Sequence, residues 1–300
     1  MNNILTGKRA LGLSAEGRIN LIYGQSGNGK TTFALTATKD QKVLYIDVEN
    51  AIGKVWAHIP DEDKNIKNLS SYKPKNIEEL ITFINGQDSR KYDLIILDSL
   101  TFLVEQELGA ITDQGKRLSF NDYGSVANDY KQCLRTAQLK GINLDIIMQA
   151  DRIETESGSM VYYPRSAGKQ IVPATVERAD NIIFLERTDK GQFVAHTVPG
   201  TRWHAKHRDP LPDKIENPTY NDLSKHFVKY KVENATEAQM KEMIVLIGEA
   251  KVQDINKFQN FIGYNDKGIT MSQYELAIKT LNDQINSNKL KDDTRDDNSK

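Results

Sequence analysis

The chain has 300 residues, 40 of them Lys or Arg and 41 Asp or Glu, for a formal net charge of -1. That length suffices for one sizeable α/β domain and a small appendage. Near-neutrality excludes a global positive field that would draw the protein onto nucleic acid or membrane, so any such contact must come from local patches. The single cysteine, Cys133, excludes an intramolecular disulfide framework, disfavours a cysteine metal cluster and reads as a semi-buried helix thiol. Residues 1–5 run into Thr6, Gly7, Lys8 and Arg9, not into a long apolar segment. No stretch approaches the roughly 20 apolar residues needed to cross a bilayer. A soluble cytoplasmic protein is expected.

Short apolar runs alternate with amphipathic segments through the first half. Residues 19–23 read as a strand, followed by a glycine-rich turn and a helix opening near Lys30. Residues 43–47 form a second strand, and 77–84 have helical apolar spacing. The uniformly apolar run at 94–97 suits a strand covered by helices on both faces. A helix spans 121–140, and 144–148 is a fourth strand. This rhythm predicts an α/β core with a mainly parallel sheet and helices on both faces. Residues 151–175 carry Gly158, Pro164, Gly168 and Pro173 with little periodicity and read as a long loop. Residues 181–185 and 193–197 flank Lys190 and Gly191 as a hairpin at one sheet edge. The core is expected over 1–230, with a boundary near Lys231–Asn234. A small helical module over 231–285 follows, its first helix capped by Thr236 and Gln239, with further helical segments at 255–262 and 272–285. Residues 286–300 read as a disordered charged tail.

Gly24, Gln25, Ser26, Gly27, Asn28, Gly29, Lys30 and Thr31 fit G-x-x-x-x-G-K-[ST], between a predicted strand and a predicted helix. Glycines let backbone N–H groups approach phosphate oxygens, and the helix N-terminus favours negative charge. Lys30 can then reach the β- and γ-phosphates, the Thr31 hydroxyl can bind Mg²⁺, and Thr32 completes the nucleotide-binding set. The strand at 94–97 ends in Asp98, which would hold the metal through water. Hydrolysis needs a group to orient or deprotonate water. Glu49, just past the second strand, is the candidate, with Asp47 as competitor. Histidines 58, 196, 204, 207 and 226 lack metal-ligand spacing, so Mg²⁺ is the one metal implied.

The order of P-loop, YIDVEN, LIILDS and a strand ending in MQA resembles the RecA/RadA recombinase core over roughly residues 18–210. The closer likeness is to phage-encoded, RecA-like single-strand annealing ATPases, carried by Asp98-Ser99-Leu100-Thr101 and by Ala205-Lys206-His207-Arg208. The resemblance implies Glu49 as catalytic base, Asp98 as metal-linked acid and Gln149 as γ-phosphate sensor. Lys206 and Arg208 read as cationic fingers reaching the site of a neighbouring subunit, with solvated surface charges or a DNA-facing patch as the alternative. It also implies ATP and Mg²⁺ as cofactors, single-stranded DNA as partner, a homo-oligomer in ring or filament form, and work beside a single-strand DNA-binding protein. Residues 151–175 then fall where a DNA-binding loop lies. DNA contact is expected from Arg152, Tyr162, Tyr163, Arg165 and Lys169, with Lys116 and Arg117 near a first DNA loop. Arg202-Trp203-His204 is a further cation-plus-aromatic cluster, for which simple packing of Trp203 stands as the alternative. The function this implies is ATP-dependent recombination by strand annealing or pairing. An ATPase that loads a helicase or switches a partner, and a passive nucleotide-binding module, are the competing readings.

Overall fold

The computed structural model describes residues 17–86, 91–155, 158–228, 235–262, 269 and 271–296. The chain divides into two compact units. The larger holds Gly17–Ile84 and Asp88–Val228 and is built on one nine-stranded sheet. Its strands are β1 (Ile19–Gly24), β2 (Val43–Asp47), β3 (Leu69–Tyr72), β4 (Leu94–Asp98), β5 (Leu144–Glu154), β6 (Met160–Arg165), β7 (Asn181–Arg187), β8 (Phe193–His196) and β9 (Lys214–Glu216). The spatial order is β3-β2-β4-β5-β1-β7-β8-β9, with β6 paired to β5. The six strands from β3 to β7 along that order are mutually parallel, while β6, β8 and β9 run antiparallel to their neighbours. The expected mainly parallel α/β core is therefore present.

Strand periodicity explains the two apolar cores. Alternate side chains leave opposite faces. Leu21, Tyr23, Leu44, Ile46, Ile95, Leu97, Ile146 and Met148 pack on one face beneath α3 (Ile77–Asn85), α4 (Leu100–Thr112), α5 (Phe120–Leu139) and α6 (Ile171–Arg178). Ile22, Val43, Tyr45, Leu94, Ile96 and Ile147 pack on the other, with α1 (Lys30–Leu35) and α7 (Tyr220–Ser224). A short α2 (Ile52–Trp56) follows β2. Cys133 is fully buried in α5, where burial pushes its thiol up to about 12.

Residues 151–175 depart from the expected loop. β5 runs on to Glu154 and pairs antiparallel with β6, from Gln149↔Arg165 to Glu154↔Met160. Gly158 sits in the turn at φ 80. Pro164 is tolerated because the outer side of β6 carries no strand, only an isolated bridge at Tyr162 to Trp203, so no ladder hydrogen bond is lost there. Pro173 falls in the first turn of α6, where its missing N–H costs no helical hydrogen bond. These residues mimic loop punctuation in sequence while occupying regular elements.

The smaller unit includes residues 229–300. Its described helices are α8 (Glu237–Glu249), α9 (Ile255–Ile262) and α10 (Met271–Asp296). Thr236 and Gln239 form the expected capping box. Met243, Ala250, Phe258, Ile269, Tyr274, Ala277 and Leu281 make its core. Residues 286–296, read from sequence as part of a disordered tail, continue helix α10; a polar, apolar-poor segment extends a helix already started by the packed stretch before it. The expected boundary at 231–234 and residues 297–300 lie outside the described residues.

Candidate active site

Register brings the site together at the carboxyl edge of the sheet. Gly24 is level with Gln149, Asp47 with Asp98, and Asp98 with Ile147. The 24–31 loop therefore leaves the sheet beside Gln149 of β5 and near the ends of β4 and β2. This is where open α/β sheets bind ligands.

Gly27 and Gly29 take φ 81 and 78, a left-handed backbone that favours glycine. Nothing stands within 4 Å of where a Gly27 Cβ would be, so the loop is open on that side. Gly24 is glycine for another reason: a Cβ there would stand 2.4 Å from the Leu185 carbonyl oxygen. Lys30 turns back over the loop. Its ammonium donates to Gly24 O at 2.9 Å, Gln25 O at 2.8 Å and Gln149 Oε1 at 3.1 Å. Burial lowers its pKa to about 8, opposed by the charges of Asp98 and Glu49. A cation that has given up much of its hydration and waits in an open glycine loop suits a polyanion.

Asp98 is 2 % exposed. Its Oδ2 accepts from the Thr31 hydroxyl at 2.6 Å and from the Tyr45 hydroxyl at 2.5 Å. Tyr45 pairs with Ile96 across β2 and β4, and Asp98 is two residues further along β4 on the same face, a diagonal neighbour. Burial raises the Asp98 pKa, and the bonds from Thr31 and Tyr45 pull it back. Among the described residues, no group of three or more His, Cys, Asp or Glu side chains could hold a metal. A hydroxyl backed by one carboxylate suits Mg²⁺, which takes few protein ligands and relies on phosphate oxygens and water.

Glu49 Oε1 accepts from the buried Ser99 hydroxyl at 2.6 Å. Burial raises its pKa, the Ser99 bond opposes that, and the Asp98 charge adds to it. An elevated carboxylate held beside the loop has the character of a general base. Asp47, the competitor, accepts from the N–H groups of Ala51 at 2.8 Å and Ile52 at 3.2 Å, so it is committed to the start of α2.

Gln149 links this site to the β5–β6 hairpin. Its N–H donates to the Thr101 hydroxyl at 3.1 Å, and that hydroxyl donates to Arg165 O at 2.8 Å. A groove of about 880 Å³ opens alongside, lined by Tyr163, Arg165 and Lys169 together with Phe120, Tyr123 and Ile153. Ile153 lies in the 151–175 segment singled out from sequence, whereas Phe120 and Tyr123 carry no motif and nothing in their sequence context marked them. Arg152 stands 5.5 Å from the Tyr162 ring, which stacks on Phe184 and so turns away from the groove. Lys116 and Arg117 are exposed on the connection before α5 and do not line it. Trp203 stacks between Phe184 and His196 and donates to Val198 O, which is a packing role.

Lys206 and Arg208 do not approach the loop of their own chain. Lys206 bridges to Ile182 and donates its ammonium to Val176 O at 2.8 Å. Arg208 pairs with Asp180 at 2.8 Å, and Asp180 N–H donates to Ile19 O at the far, amino end of β1. No curated protein gives a significant match to the sequence. The model of the AAA domain family matches residues 16–208, which include the loop, Glu49, Asp98 and Gln149. The chain belongs to this AAA domain family of P-loop nucleotide-binding proteins.

Proposed function

We propose that the chain is a Mg²⁺-dependent ATPase whose turnover is coupled to single-stranded DNA, a RecA-like engine for strand annealing or pairing. One observation carries the coupling: Gln149 holds the Lys30 ammonium with its side chain while its backbone leads, through the Thr101 hydroxyl, to Arg165 on the hairpin. A γ-phosphate approaching Lys30 competes with Gln149 for that ammonium. The released amide can then turn to the phosphate, and the start of the hairpin responds. The amides of residues 25–32 and Lys30 would hold the phosphates, Thr31 and Asp98 would hold Mg²⁺, and Glu49 would take the proton of the attacking water. Bound Mg²⁺ would neutralise charge between the β- and γ-phosphates.

Support for DNA comes from the groove, where Tyr163, Tyr123 and Phe120 offer rings and Arg165 and Lys169 offer charge. With a net charge of -1, many weak contacts would have to add up, which a ring or filament of subunits provides, alone or beside a single-strand DNA-binding protein. In such an assembly Lys206 and Arg208 would serve a neighbour's site. A second reading has its own observation. Phe120 is 84 % exposed at the groove, which also suits an apolar protein partner and a switching or helicase-loading role. Steady-state phosphate release at low salt, with and without single-stranded DNA, separates them. Stimulation by DNA, lost in Arg165→Ala, is expected. Turnover indifferent to DNA, with no DNA bound, would count for the partner switch.

A further inference from the structure

The groups that would face the γ-phosphate all lie on one flank of the 24–31 loop. Gln149 lies within β5, Asp98 ends β4 and Glu49 follows β2, all on the β5 side of β1. The opposite flank is the β7–β8 hairpin. Asn28 Nδ2 donates to Leu185 O at 3.0 Å there, clamping the loop against β7. At the hairpin's other strand, two ring carbons of Phe193 stand 3.0 Å from where a Gly29 Cβ would be. The ring thus lies against the loop at Gly29, where a Cβ would push it by a few tenths of an ångström.

Phe193 is half-exposed and held independently of the loop. Its N–H donates to Asn217 Oδ1 at 3.3 Å, and its carbonyl accepts from Asn217 N–H at 2.7 Å. Asn217 takes φ 45 to do so. The exposed Arg187 guanidinium lies 5.5 Å from the ring centroid. An aromatic wall with a cation over it, beside a phosphate loop, is poorly explained by phosphate binding, which needs N–H donors and charge. It suits a flat, uncharged π system.

We propose that Phe193, with Arg187 over it, is the nucleoside-facing wall of the site, against which the base or ribose of the bound nucleotide packs. This rests on the reading of residues 24–31 as the phosphate loop. With the γ-phosphate fixed on the β5 flank, the nucleoside end leaves the loop toward β7 and β8. The test is calorimetric binding of ATP, ADP and inorganic tripolyphosphate, with Mg²⁺, to the full chain and to Phe193→Ala, Phe193→Leu and Phe193→Trp. Phe193→Ala is expected to weaken ATP and ADP roughly tenfold, the scale of one lost aromatic stack, and tripolyphosphate less than about twofold. Phe193→Leu keeps apolar bulk against Gly29 and should show the same selective loss; Phe193→Trp should bind ATP like the parent. Equal losses for ATP and tripolyphosphate in both the Ala and Leu variants would overturn the proposal, making the ring a prop for the loop. Unchanged ATP binding in Phe193→Ala would overturn it as well. A parent chain that binds neither ATP nor tripolyphosphate would overturn the phosphate-loop reading itself, and this inference with it.

Discussion

Tyr45→Phe removes one oxygen from a fully buried ring and leaves the ring's packing intact. The lost group donates to Asp98 Oδ2, which keeps its bond from Thr31. A hydrogen bond to a charged partner is worth about 1.5–3 kcal/mol, and a neutral one about 0.5–1.5 kcal/mol. The void left is too small for a water to replace the donor. A net destabilisation of about 1–2 kcal/mol is therefore expected where Asp98 is ionised. The pH dependence follows from the shift. Burial already holds the Asp98 pKa above its ordinary value, and the Tyr45 bond lowers it, so losing that bond raises it further. A carboxyl with a folded value above its unfolded one contributes stability below the unfolded value and loses it as pH rises through the folded value. Parent and variant should therefore lie closest in acid and diverge as pH rises. Urea unfolding without nucleotide at about pH 3.5, below the ordinary carboxylate value, and at about pH 8 reads this, with the gap expected to widen by about 1 kcal/mol. A gap that is constant, or larger in acid, would refute the reasoning.

Burial holds Lys30 at a pKa of about 8, so its charged form costs stability below that value and the cost fades as pH climbs toward the ordinary lysine range. A bound phosphate raises the value again. Nucleotide binding should take up a proton near pH 8 and weaken above it, which calorimetry in buffers of different ionisation enthalpy detects; uptake absent at that pH would contradict the assignment. Asp145 is fully buried near the start of β5, and burial raises its pKa to about 6 against hydrogen bonds from neighbours that include Asn20. The chain should lose roughly 2–3 kcal/mol of stability from this group as pH rises from about 4 to about 6, and Asp145→Asn should flatten that slope. Lys206→Ala or Arg208→Ala should lower turnover while leaving nucleotide binding nearly intact, since neither side chain meets the loop of its own chain. Binding that falls as far as turnover would remove them from the trans role.

The residues that pair a backbone demand with a chemical one were legible in sequence. The glycine loop and its flanking apolar strand set the phosphate cradle, and an apolar run ending in aspartate set Asp98. What escaped was fixed by register between distant strands. Tyr45 reads as one more core aromatic until β2 and β4 align it diagonally to Asp98. Asn20, Asp145 and Asn181 look like polar interruptions in apolar runs. Registered side by side on β1, β5 and β7, they bond to one another and on to Asp209. The β5–β6 hairpin was hidden because an edge strand tolerates Pro164, and Phe193, the first residue of an expected hairpin strand, carries no sequence signal for its contact with Gly29.

In the proposed reaction this loop binds ATP and Glu49 acts as the base that activates water for hydrolysis. Its most direct test is paired measurement of ATP affinity and phosphate release in the parent and in Glu49→Gln, with Mg²⁺ and single-stranded DNA present. The glutamine retains a hydrogen-bonding contact to Ser99 but cannot accept a proton. ATP affinity within about threefold of the parent, with turnover lower by roughly 10²–10⁴, is expected. A variant that hydrolyses ATP at the parent's rate, or a parent that binds ATP and never releases phosphate, would contradict it.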